Sequence, residues 1–64
     1  MQPHEQRVVE ERDELQTKTR KLGEFLETQT YSNLPYEDRK LLNIQHATMQ
    51  AYSEILNTRI GRFI

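Results

Sequence analysis

The chain has no cysteine. That excludes a disulfide framework and any thiolate metal site. Its two histidines, His4 and His46, lie far apart, so no zinc site and no bound metal is expected. Charge of one sign is also lacking. Nine basic residues mix with ten acidic ones for a net charge of −1. General nucleic-acid binding usually shows a clear basic excess, so that class is disfavoured. No apolar stretch approaches the roughly 20 residues of a membrane-spanning helix. Nothing resembles a signal peptide, and a soluble, intracellular protein is expected. With two glycines in all, there is no glycine loop to cradle phosphates. Ser53 has no base in view, and Glu10, Glu11, Asp13 and Glu14 spread over different helix faces. The expectation is a protein that is not an enzyme and carries no cofactor.

What is present is helical periodicity. Sixty-four residues form one small domain at most, and a chain this short needs staples or partners. From His4 to about Thr28 the sequence is rich in Glu, Gln, Arg, Lys and Leu, all good helix formers. Val8, Leu15 and Leu22 recur every seven residues, and Phe25 and Leu26 widen the stripe. Glu14 with Lys18 and Arg20 with Glu24 are opposite charges four apart. Gly23 interrupts this helix, either tolerated or permitting close approach of another element. Residues 29–34 read as a loop, with Ser32 or Asn33 as a cap for the next helix. Pro35 then opens a second helix that runs to about Arg62, with Glu37 and Asp38 in its first turn.

The second helix carries two apolar rows. Leu42, Gln45, Met49, Tyr52, Leu56, Arg59 and Phe63 alternate at spacings of three and four. Leu41, Ile44, Thr48 and Ile55 run beside them. Two such helices joined by a short connection predict an all-α fold, an antiparallel two-helix hairpin. A turn centred near Tyr31 sets Leu22 against Leu41, Leu15 against Thr48 and Val8 against Ile55. One hairpin is too small to cover both rows, so a homo-oligomer forming a helical bundle is expected, with residues 1–64 as its single domain.

The same pairing brings the chain ends together, with His4 and Arg7 near Arg59 and Arg62. That end reads either as an anion site or as a solvated end with ion pairs to Glu5 and Glu10. Arg59 stands where an apolar residue is expected, so it either meets an anionic partner or snorkels from the edge. Tyr52 lies on the apolar face, while Tyr31 and Tyr36 read as exposed rings. Arg20, Lys21, Arg39 and Lys40 form a belt near the turn that acidic residues interrupt.

Three segments carry a resemblance: HEQRVVEERDELQTKTRKLGEFL, LPYEDRKLL and MQAYSEILNTRIGRF. Together they resemble a family of very short helical-hairpin phage proteins related to a crAss-like phage protein. The segment from Arg7 to Leu15 and the ending from Tyr52 to Phe63 carry the likeness. The hairpin is also similar to the hairpin domain of phage anti-CBASS and anti-Thoeris sponges, which sequester cyclic-nucleotide immune signals without hydrolysing them. The resemblance implies an anti-defence protein of the host cytoplasm whose partner is a cyclic oligonucleotide or related nucleotide. The competing reading is an interaction module, a hairpin that inhibits or assembles with a host or phage protein. No ligand contact is carried over from the resemblance. Arg7, Tyr52, Arg59 and Arg62 are the candidate ligand-binding residues, on the geometry of the open end alone.

Overall fold

The protein's computed structural model describes residues 1–63. The fold is all-α, with three helices in the order α1 (Pro3–Phe25), α2 (Gln29–Ser32) and α3 (Tyr36–Gly61). α1 starts where proline costs nothing, because the missing N–H would have no partner there. The Glu5 carboxylate reaches back to accept from the Gln2 backbone N–H at 2.8 Å. α3 starts behind Pro35, which lacks a capping side chain. The caps expected from Ser32 and Asn33 are therefore not used. Thr28 caps the preceding helix α2, its side chain accepting from the Tyr31 N–H at 3.2 Å.

The expected loop over 29–34 contains the single turn α2, and its tyrosine is not free. Tyr31 is half-buried and meets the Phe25 ring edge-on, with centroids 6.2 Å apart. Its hydroxyl faces the Arg39 carbonyl and receives the Asn43 amide. Arg39 in turn donates from Nε to the Leu34 carbonyl at 3.1 Å. These contacts fix the direction in which α3 leaves the turn. Of the two charge pairs expected on α1, Arg20–Glu24 forms at 3.0 Å; among the described residues Glu14 and Lys18 do not pair.

α1 and α3 pack along each other. The seam of α3 is Leu42, His46, Met49, Ser53, Leu56 and Ile60, all buried or half-buried. Val8, Leu15, Thr19, Leu22 and Phe25 face it from α1, and Leu26 from the position just after that helix. Leu56 is fully buried at 0% exposure. This corrects the seam expected from sequence, which shares Leu42, Met49 and Leu56 but takes Gln45, Tyr52 and Arg59 between them. Those three are exposed. The cause is the close approach of the two helices. Gly23 has no side chain, and a Cβ there would lie 3.1 Å from the His46 ring nitrogen. Buried Ser53 is likewise small. Small residues therefore occupy places on the seam that hydrophobicity alone would give to Tyr52. The pairings of Leu22 with Leu41, Leu15 with Thr48 and Val8 with Ile55 are overturned too, because Leu41, Thr48 and Ile55 all face outward. The extra turn of α2 shifts the register.

The molecule is a rod of 46 × 14 × 13 Å with a radius of gyration of 14.7 Å. A globule of this length would have a radius near 11 Å. A rod two helices wide has room for few fully buried side chains, so Leu56 carries a large share of the packing. Replacing Leu56 with Ala should lower the unfolding free energy by about 2–5 kcal/mol. Urea denaturation at fixed protein concentration measures it, and a loss below about 1 kcal/mol would contradict this placement.

Candidate functional site

The six arginines divide into two groups. Arg12, Arg20 and Arg39 are engaged within the chain. Arg7, Arg59 and Arg62 are exposed, and among the described residues their side chains have no hydrogen-bond or ion-pair partner. All three lie toward the open end of the α1–α3 pair. Arg12 locates them, because its Nη1 donates to Asn57 Oδ1 at 2.9 Å. Arg7 lies five residues before Arg12, and Arg62 five residues after Asn57. Following each helix away from that hydrogen bond brings both toward the same end. A cation with no internal partner keeps its donors available to an anion.

Arg59 is therefore not a buried guanidinium interrupting a seam. It stands on the outer flank of α3, one residue before the seam position Ile60. Beside it runs a shallow groove lined by Ala51, Glu54, Ile55 and Thr58. The aliphatic wall and the cation together suit a ligand with a flat apolar part and an anionic part.

Tyr52 joins the same flank from seven residues upstream. It is 40% exposed, and its hydroxyl donates to Glu11 Oε2 on α1. The carboxylate holds the phenolic proton, so the Tyr52 pKa is raised above its ordinary 10.0. Partial desolvation and the Glu11 charge push the same way, while the Arg59 charge opposes them. Glu11 was not among the candidates read from sequence. The signal was hidden because the expected register placed Tyr52 on the seam rather than over the edge of α1.

The other candidates separate from this flank. Tyr36 is exposed at the start of α3, with the Arg39 guanidinium 5.9 Å from its ring centroid. His46 lies half-buried over Gly23. Among the described residues no three His, Cys, Asp or Glu side chains are grouped to hold a metal ion. No described helix is long and apolar enough to cross a membrane.

The tie between Tyr52 and Glu11 has a pH signature. Its contribution is present while the phenol is protonated and is lost as pH rises through the raised folded pKa. Glu11→Gln removes the carboxylate charge. The alkaline ultraviolet titration of Tyr52, isolated by difference against Tyr52→Phe, should then move back toward the ordinary value. An unchanged Tyr52 titration in Glu11→Gln would remove the contact from the account.

Comparison with known proteins places these residues in a family. No solved structure matches the chain. A 7.5 kDa protein from the denB–rIIB intergenic region of Enterobacteria phage T4 is 35% identical over 63 residues, covering 98% of each chain. The family model named Sequestin matches residues 2–62, which takes in α1, α2, α3 and the candidate residues Arg7, Tyr52, Arg59 and Arg62. The chain belongs to the Sequestin family.

Proposed function

We propose that this is a phage-encoded anti-defence protein that binds a cyclic-nucleotide immune signal and sequesters it in the host cytoplasm without hydrolysing it. The observation that carries this reading is membership, over residues 2–62, of a family of phage-encoded cyclic-nucleotide sequestrants. Sequestration needs affinity and stoichiometry rather than turnover, and nothing in the candidate site is arranged as a nucleophile with its base. The site is a binding surface: Arg59, Arg62 and Arg7 for phosphates, and Tyr52 with the aliphatic groove for a base. Base stacking on an aromatic ring contributes about 1–3 kcal/mol.

The fold is read as an antiparallel two-helix hairpin, a single domain over residues 1–64 that assembles into a helical bundle of identical chains. Two observations support it. Contacts between α1 and α3 run in opposite order along the chain, Gly23 with His46 and then Arg12 with Asn57. The large apolar side chains left exposed lie mostly on α3, as they would on a face awaiting another chain. A sponge that gathers several sites into one assembly also places its cations close together, which suits a ligand with more than one phosphate.

The test is titration calorimetry against cyclic di- and trinucleotides, followed by analysis of the ligand released on denaturation. The ligand should come back intact. At a hundred times its dissociation constant it should stabilise the protein by about 2.7 kcal/mol. Arg59→Ala should weaken binding by about 1.5–3 kcal/mol, the scale of one charge-assisted hydrogen bond, without changing assembly. Lys18→Ala, on the outer face of α1, should leave binding as it was. Hydrolysed product at catalytic turnover, or full-strength binding by Arg59→Ala, would overturn the function or the site respectively.

A further inference from the structure

The row that α1 leaves uncovered has a definite shape. Leu41, Ile44, Thr48, Ala51 and Ile55 are all exposed and recur at spacings of three and four along α3. The row is about 21 Å long from Leu41 to Ile55 at 1.5 Å per residue. Leu41 is 61% exposed, Ile44 53% and Ile55 56%. Of the six large apolar side chains exposed among the described residues, five belong to α3 and the sixth is Met1. The threonine at the centre is apolar outward. Thr48 Oγ1 donates to the Ile44 carbonyl at 2.9 Å, which satisfies the hydroxyl within the helix. Thr58 does the same toward Glu54 at 3.0 Å. Both residues can be covered without stranding a hydroxyl proton.

We propose that this row packs against the same row of a second copy of the chain, antiparallel, about a two-fold axis at Thr48. The proposal rests on the assembly reading above and specifies the surface that serves it. A two-fold axis at Thr48 sets Leu41 of one copy against Ile55 of the other and Ile44 against Ala51. Large residues then meet large ones at the ends, large meets small next to them, and the two threonine methyls meet at the axis. This is the three-four packing of a coiled coil, with Leu41, Thr48 and Ile55 in one set of core positions and Ile44 and Ala51 in the other.

Charge selects the antiparallel arrangement and this register. Lys40 flanks the row at one end and Glu54 on the same side at the other, so the axis brings Lys40 of each copy beside Glu54 of its partner. On the opposite flank Asp38 lies at the start of α3 and Arg59 near its end, and Glu37 continues the row itself four residues before Leu41. The axis brings those carboxylates beside the second copy's Arg59. A parallel arrangement would pair only Glu54 with the second copy's Arg59 and set Lys40 beside Gln45, so it forms fewer of these ion pairs. Exposed pairs of this kind choose orientation more than they add affinity. Arg59 has five N–H donors, so a neighbouring carboxylate leaves several of them for a phosphate. The second copy then covers the Ala51 and Ile55 wall of the groove, and each ligand site narrows to Arg59 and Tyr52 at the rim of the two-fold interface.

The cysteine-free sequence makes the test direct. Thr48→Cys should form disulfide-linked dimers under mild oxidation at micromolar concentration, because the axis places each new thiol against its copy. Gln50→Cys lines the groove toward α1 and should remain mostly uncrosslinked. A second arm uses charge: Lys40→Glu and Glu54→Lys should each raise the dissociation constant of the assembly several-fold, and the double variant should restore it. Equal crosslinking at both positions, or no rescue in the double variant, would overturn this interface. If crosslinking fails while the wild-type protein remains an oligomer, the assembly reading survives and this surface does not. A wild-type protein that is monomeric throughout would overturn both.

Discussion

Everything in this molecule depends on one contact, the close packing of α1 against α3. Leu56 is fully covered in it, Val8 is buried in it, and Gly23 lets the His46 ring lie against the α1 backbone. The closeness decides which face of α3 turns inward. The face that accepts a close neighbour carries Ser53 and His46, not the larger Tyr52. Once that choice is made, Tyr52 and Arg59 must lie on the flank and the row from Leu41 to Ile55 must lie outside. The placement of the candidate site thus follows from a packing constraint made by small residues.

The electrostatics follow the same division. Arginines near the turn and the middle of the rod are used internally, against Glu24, Asp13, Asn57 and the Leu34 carbonyl. Those toward the open end have no internal partner among the described residues. At near-zero net charge the protein does not draw anions by its overall field; it can do so only where cations are locally unpaired. Glu11 adds a constraint of a different kind. By accepting the Tyr52 hydroxyl it fixes the ring at the edge between the helices. A ring held in place loses less freedom when a ligand stacks on it.

Much of the fold was legible in the sequence, and the rest was obscured for physical reasons. The two long helices, their approximate ends and the row of Leu41, Ile44, Thr48 and Ile55 follow from periodicity and composition, but the outward facing of that row does not, since the expected pairings set it against α1. Gly23 as a point of close approach was visible as one of two alternatives. The seam was misplaced by one residue at every second position, because a seven-residue repeat fits two adjacent stripes and hydrophobicity favoured the wrong one. The register was misplaced because a single-turn helix is too short to announce itself among Thr, Ser and Asn. Tyr31 was read as free for the same reason, since only the turn's geometry brings it against Phe25 and Asn43. The candidate cations at Arg7, Arg59 and Arg62 were named from the meeting of the chain ends, which depends little on the register. Glu11 depends on it entirely and was missed.

A rod this thin is a fragment of a larger structure in the energetic sense. Its row of Leu41, Ile44 and Ile55 is exposed apolar surface, and the proposed assembly of copies would supply both its cover and the clustering of sites that sequestration uses. Sedimentation equilibrium of the wild-type protein alone, across a hundredfold range of concentration and read together with helical circular dichroism, tests this claim most directly. The account predicts a mass that is a multiple of the 7.7 kDa chain, with helicity falling as dilution dissociates it. A fully helical protein of single-chain mass at every concentration would contradict it.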